Sequence, residues 1–198
     1  MSEPNNKLWV AAGEGDEALV SQLIEQGAKV DWRRFHRLPG KNGTALHNAA
    51  ENDHPRVVTR LLDSGWSLEA RNKFGHTPLL VATDEGNLDT VRTLLLRRAN
   101  IDTQDNDKET PLYAASCQGL SDLVKILLQC GADQTIRNKA GKTAEDAAED
   151  EETRAVFREF NKNLLKNKDE LLKQAITEEK LDLAFNNVKP KDRYFVLD

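Results

Sequence analysis

Two cysteines, four histidines and one loop of alternating acids are the side chains of this chain that invite a chemical role. Cys117 and Cys130 form no CxxC pair, and a zinc site would need such pairs or histidines at matching intervals. They read as half-buried free thiols of a reducing compartment. His36, His54 and His76 fall in loops or at helix starts and form no set, and no HExxH pair is present. Asp105, Asp107 and Glu109 alternate like the start of a calcium loop but lack its central glycine and distal glutamate, so they read as solvated turn acids. Neither GxxxxGK[ST] nor GxSxG occurs. The chain is therefore expected to carry no catalytic residue, no cofactor and no metal, and not to be an enzyme.

Composition narrows the remaining classes. The formal charge is −5, which argues against nucleic acid as a partner, since that usually needs a concentrated basic face. Charged residues make up 31% and hydrophobic residues 38%, a balance suited to a thin structure with much surface per core residue. The start, MSEPNNKLW, has no apolar stretch or basic leader, and no run approaches the roughly 18 apolar residues of a membrane span. The expectation is a soluble protein of the cytoplasm, with the nucleus open to it as well, and no membrane partner.

What must position these residues is a repeat. Thr44, Thr77, Thr110 and Thr143 are 33 residues apart, and Leu46, Leu79 and Leu112, then Val58, Val91 and Val124, then Leu61, Leu94 and Leu127 keep the same period. Within each period Thr followed by Pro (Thr77-Pro78, Thr110-Pro111) opens a short helix: the hydroxyl caps free backbone N–H groups, and proline suits a first helical position. Gly86 or Gly119 ends that helix, and Asn87 or Ser121 is expected to cap a second. There Val91, Leu94 and Leu95, or Val124, Leu127 and Leu128, share one face.

The stretches TALHNAAENDHPRVVTRLLDSG from Thr44, TPLLVATDEGNLDTVRTLLLRRA from Thr77 and TPLYAASCQGLSDLVKILLQCGA from Thr110 resemble the ankyrin repeat, in both the TPLH-x-A opening and the LLxxGA closing. The resemblance implies an all-α solenoid of stacked antiparallel helix pairs with hairpin loops along one edge. KLWVAAGEGDEALVSQLIEQGA aligns with the second unit at an offset of 38, which leaves 38 − 33 = 5 extra residues in the first junction. GKTAEDAAEDEETRAVFREF reads as a terminal cap, with a polar outer face because nothing stacks on it. Residues 5–162 are thus expected to form four repeats and a cap, with inner helices starting near Asn6, Thr44, Thr77, Thr110 and Thr143. Residues 163–198 form a helical tail that either packs on the cap or docks on a partner. Arg98 and Lys108 stand where sister repeats have glycine, so the third repeat is expected to end differently or to be softer.

The resemblance implies a non-enzymatic interaction protein, an adaptor or a regulatory subunit that masks a partner, monomeric when alone. It also implies that His47 hydrogen-bonds near the start of its helix, and that Asp31 and Asp102, each after an aliphatic residue and eight after a leucine, fit a loop-hydroxylation pattern. Candidate contacts are residues the fold does not need. The inserted loop interleaves Trp32, Arg33, Arg34, Phe35 and Arg37, and the next loop adds Arg71, Lys73 and Phe74. Trp and Arg are enriched at interface hot spots. The same loop residues are the ones a nucleic acid would use, the alternative reading. Trp66 either fills space between loops or protrudes, and Trp32 and Phe35 either contact a partner or pack back on the second repeat. Glu51, Asp84 and Glu85, with Glu14, are expected to line the groove as an acidic strip offered to basic groups.

Overall fold

The computed structural model describes residues 3–29 and 43–177, with side chains from Pro4 to Lys166. Among the described residues ten α-helices follow one another: α1 (Glu3–Glu14), α2 (Glu17–Glu25), α3 (Ala45–Glu51), α4 (Pro55–Asp63), α5 (Pro78–Asp84), α6 (Leu88–Leu96), α7 (Pro111–Cys117), α8 (Ser121–Gln129), α9 (Ala144–Ala147) and α10 (Glu151–Thr177). The inner helices stack in the order α1, α3, α5, α7, α9; outside them α2 packs on α4, α4 on α6, and α8 on α10. The architecture is the expected all-α solenoid.

Helix starts follow the caps. The Thr77 hydroxyl accepts from Leu80 N at 3.4 Å and that of Thr110 from Tyr113 N at 3.2 Å. Thr143 adds a reciprocal bond, its own N–H donating to Asp146 Oδ2 at 2.9 Å. The first inner helix departs from expectation by starting at Glu3 rather than near Asn6. Asn5 is left buried at its side, and its Oδ1 accepts from Lys29 N at 2.8 Å. Two outer caps differ as well. Asn87 precedes α6 but turns its amide to the repeat before, donating to the carbonyls of Ala50 and Glu51 at 2.8 and 3.0 Å. Leu120, not Ser121, is the N-cap of α8.

The 33-residue columns are the core. Val20, Val58, Val91 and Val124 are fully buried, and Phe157 of the cap continues their column. Each buried aliphatic side chain is worth about 1.5–3 kcal/mol relative to exposure, so the repeated sites carry the stack.

The third repeat ends as its sisters do. Arg98 adopts φ 66°, and Ala99 N donates to Leu94 O at 3.0 Å. Ala132 N donates likewise to Leu127 O at 3.0 Å after Gly131. Lys108 adopts φ 60°, and its N–H closes the turn on Asp105 O as that of Gly75 closes on Asn72 O. The left-handed geometry is kept and its strain is borne, about 1 kcal/mol per site.

Beyond the cap α10 continues without a break, so the expected boundary between residues 162 and 163 lies inside one helix. Leu164 and Leu165 are 44% and 64% exposed. The part of the tail after Thr177 lies outside the described residues.

Candidate partner surface

Each of the three described hairpin loops is fixed by an Asx residue at its start. Asn72 Oδ1 accepts from Phe74 N and His76 N at 2.9 and 3.1 Å, Asp105 Oδ1 from Asp107 N and Glu109 N at 2.8 Å each, and Asn138 Oδ1 from Ala140 N and Lys142 N at 2.9 and 3.1 Å. Short polar side chains favour such turns because they supply acceptors that the bent backbone lacks. Successive hairpins are joined edge to edge: Asn106 N donates to Phe74 O at 3.0 Å, and Lys139 N to Asp107 O at 2.9 Å. Gly75 is required by this closeness, since a Cβ there would lie 2.6 Å from Asn106 Oδ1 and 2.8 Å from its backbone N. These three loops thus form a continuous, internally bonded edge.

On that edge Phe74 is exposed, as expected, with Lys73 Nζ 4.6 Å from its ring centroid. The face of an aromatic ring attracts such a cation. Arg71 does something else. Its guanidinium donates to Gly75 O at 2.8 Å and also to Gln104 O and Thr103 Oγ1, clasping its own hairpin and the next. The loops after it repeat the first of these bonds, Gln104 Nε2 to Lys108 O and Arg137 to Gly141 O. Nη1 is thus shared between two loop carbonyls and Nη2 reaches a loop hydroxyl, so Arg71 braces the edge. Trp66 belongs to the buried core at 5% exposure, which is the space-filling alternative and not the protruding one. Asp31, Trp32, Arg33, Arg34, Phe35 and Arg37 lie outside the described residues.

His47 acts as the resemblance implied. Its Nδ1 accepts from Thr44 N at 3.2 Å. The ring's other nitrogen therefore holds the proton, and Nε2 donates to His76 O at 3.0 Å. His76 in turn lies between two carboxylates, Nδ1 3.2 Å from Asp84 Oδ2 and Nε2 3.4 Å from Asp105 Oδ2. Burial works to lower its pKa, but Asp84 first and Asp105 after it outweigh that and hold it above the ordinary imidazole value. This cluster was missed in the sequence. The available signal was the register: Asp105 shares a column with Asn72 and Asn138, so its second oxygen was left over to meet the neighbouring hairpin.

The acidic strip is correspondingly altered. Glu14 and Glu85 are exposed and Glu51 is half-buried, while Asp84 is engaged by His76. Asp105 is not a solvated turn acid, since its side chain is only 9% exposed. Burial pushes Glu109 above its ordinary range, with the carboxylates of Asp105, Asp107 and Asp84 adding to the effect against a bond from Asn138. Asp102 is half-buried, and its Oδ1 accepts from Asp133 N at 2.9 Å. Burial raises its pKa. Cys117 and Cys130 are free thiols and exposed, not half-buried. Among the described residues no group of three or more His, Cys, Asp or Glu side chains fits a metal ion, and no helix is long and apolar enough to cross a membrane.

A family model for ankyrin repeats in three copies matches residues 8–105 and 71–140. The chain belongs to the ankyrin-repeat family. Among curated relatives, this ankyrin-repeat chain is 34% identical over 150 residues to a transient receptor potential cation channel subfamily A member 1 homolog of Caenorhabditis elegans, covering 76% of the chain and 12% of the channel. It is 36% identical over 123 residues to the B-cell lymphoma 3 protein homolog of Mus musculus, covering 62% of the chain and 26% of that protein. It is 27% identical over 160 residues to a protein of Saccharomyces cerevisiae named as a probable 26S proteasome regulatory subunit, p28, covering 78% of the chain and 69% of the yeast protein. The chain thus spans about an eighth to a quarter of the first two. Ankyrin repeats are in general protein-interaction and regulatory modules rather than enzymes, and the relatives are consistent with that class.

Proposed function

We propose that this ankyrin-repeat chain is a non-enzymatic protein-binding module, acting as an adaptor or as a regulatory subunit that covers a partner's surface. The observation that carries the reading is the Lys73–Phe74 tip: an aromatic ring 40% exposed on a hairpin whose backbone is hydrogen-bonded to the hairpin beside it. A large apolar ring held out on a rigid mount loses little entropy when it enters a partner's pocket. The inserted loop, with Trp32, Arg33, Arg34, Phe35 and Arg37, is proposed as the second half of the same surface, and Glu51 and Glu85 as its acidic flank. Similarity to a yeast protein named as a proteasome regulatory subunit supports the regulatory form. The proposed working place is the cytoplasm, with access to the nucleus.

The test is affinity capture from native cells with the wild-type chain, Phe74→Ala, and Trp32→Ala/Arg34→Ala. A protein recovered with the wild type and lost with the variants supports the reading. Equal recovery with all three sinks it, and an enzymatic assay on the captured partner separates adaptor from inhibitor.

A further inference from the structure

We infer that His76 is a proton-operated clamp between the second and third hairpins, which sets how firmly the Phe74 tip is held. The argument starts from the ring's two nitrogens. Both face carboxylate oxygens, Asp84 Oδ2 at 3.2 Å and Asp105 Oδ2 at 3.4 Å. An ionised carboxylate only accepts, and a neutral imidazole has only one N–H to give. The neutral ring therefore turns a lone pair toward one of the two acids, and only the imidazolium satisfies both.

The two acids belong to different elements. Asp84 ends α5, whereas Asp105 anchors the hairpin leading to α7, with Oδ1 committed to that turn and Oδ2 free for His76. The clamp therefore crosses a repeat junction. Its other side is fixed: His76 N donates to Asn72 Oδ1, and His76 O accepts from Asn72 N and from His47 Nε2 of α3. On the next hairpin Glu109 has Asp84 and Asp105 as charged neighbours too, Arg71 and Lys73 are the cations of His76's own hairpin, and Glu51 precedes Asp84 by one repeat in the same register. Glu109 is crowded by the same carboxylates, so the half-buried imidazolium is a cation set among acids. Phe74 packs beside it, the ring centroids 5.8 Å apart and the planes tilted by 46°. When the proton leaves, two carboxylates face each other across the junction and the ring beside Phe74 loses one of its anchors. The interhairpin bond from Asn106 N to Phe74 O is then the next to open.

The clamp lies under the surface proposed above and rests on that reading only for its biological use. The experiment uses the whole chain with no partner. NMR titration of the His76 ring is expected to give a midpoint above the ordinary 6.5. Asp84→Asn and Asp105→Asn are each expected to lower it by roughly half a unit or more. Asp105→Asn keeps the turn, since Asn72 and Asn138 hold the same column. Hydrogen exchange at the Asn106 amide, corrected for its intrinsic pH dependence, is expected to quicken by about tenfold as His76 deprotonates, and His76→Gln removes that step. A midpoint at or below 6.5, or Asn106 protection unchanged across the titration, overturns the clamp. Capture with Phe74→Ala decides the partner surface separately.

Discussion

Asp53 and Thr90 are joined across the second and third repeats by two bonds to one oxygen: Asp53 Oδ1 accepts from Thr90 N at 3.2 Å and from Thr90 Oγ1 at 2.8 Å. Asp53 makes these bonds from a left-handed backbone at φ 55°, in the column where Gly86 and Gly119 end their inner helices. Its side chain thus compensates for the conformation it occupies. Asp53→Ala should lower stability by about 2–3 kcal/mol, because it keeps the strain and leaves the buried Thr90 hydroxyl without this acceptor. Asp53→Gly relieves the strain and should lose less. Chemical denaturation of both variants checks the order, and an Ala variant no worse than Gly refutes the account.

Arg98 and Lys108 bear the same backbone strain, and no side-chain hydrogen bond or ion pair from either offsets it among the described residues. Arg98→Gly and Lys108→Gly are each expected to stabilise the chain by about 0.5–1 kcal/mol, seen as a higher Tm. An unchanged or lower Tm would mean that neither turn is strained.

The neighbours Arg71 and Phe74 should separate stability from binding. Arg71→Ala removes bonds to Gly75 O and Gln104 O and should lower stability by about 1–2 kcal/mol. Phe74→Ala should leave Tm nearly unchanged and weaken the captured partner by about 1–3 kcal/mol. Calorimetry of the two variants, with a binding titration once a partner is in hand, tests the division. The same change in both readouts for both variants contradicts it.

The pH dependence of stability has a definite sign. The folded pKa of His76 is raised, so its contribution is full below the ordinary value of 6.5 and is lost as pH rises through the folded pKa. The stability gap between wild type and His76→Gln should therefore be larger at pH 6 than at pH 8.5, by about 0.5–1 kcal/mol. A gap that widens with rising pH would show that burial, not the two carboxylates, governs the ring.

The first residues lost on truncation after Asn163 are Leu164 and Leu165, which are 44% and 64% exposed, so stability is expected to fall by less than about 1 kcal/mol, read from Tm. A large fall would place the packing of α10 beyond the cap.

The fold was legible because a repeat states the same instruction several times. The Thr caps, the valine column and the leucine column each recur at 33 residues, and helix starts and core burial are local or nearest-neighbour consequences of that spacing. The exposed Phe74 was legible for the same reason, since the register put it at a turn. Three things were decided only in three dimensions. Arg71 and Lys73 are two residues apart and equally basic, yet one clasps two loops and the other rides on an aromatic ring. Trp66, at a small-residue position, is buried rather than displayed. His76 meets Asp84 and Asp105 only because consecutive hairpins are hydrogen-bonded edge to edge. Sequence periodicity fixes which column a residue occupies. Which side chains of adjacent columns touch depends on the angle and distance between stacked repeats, and these come from the packing of the whole array.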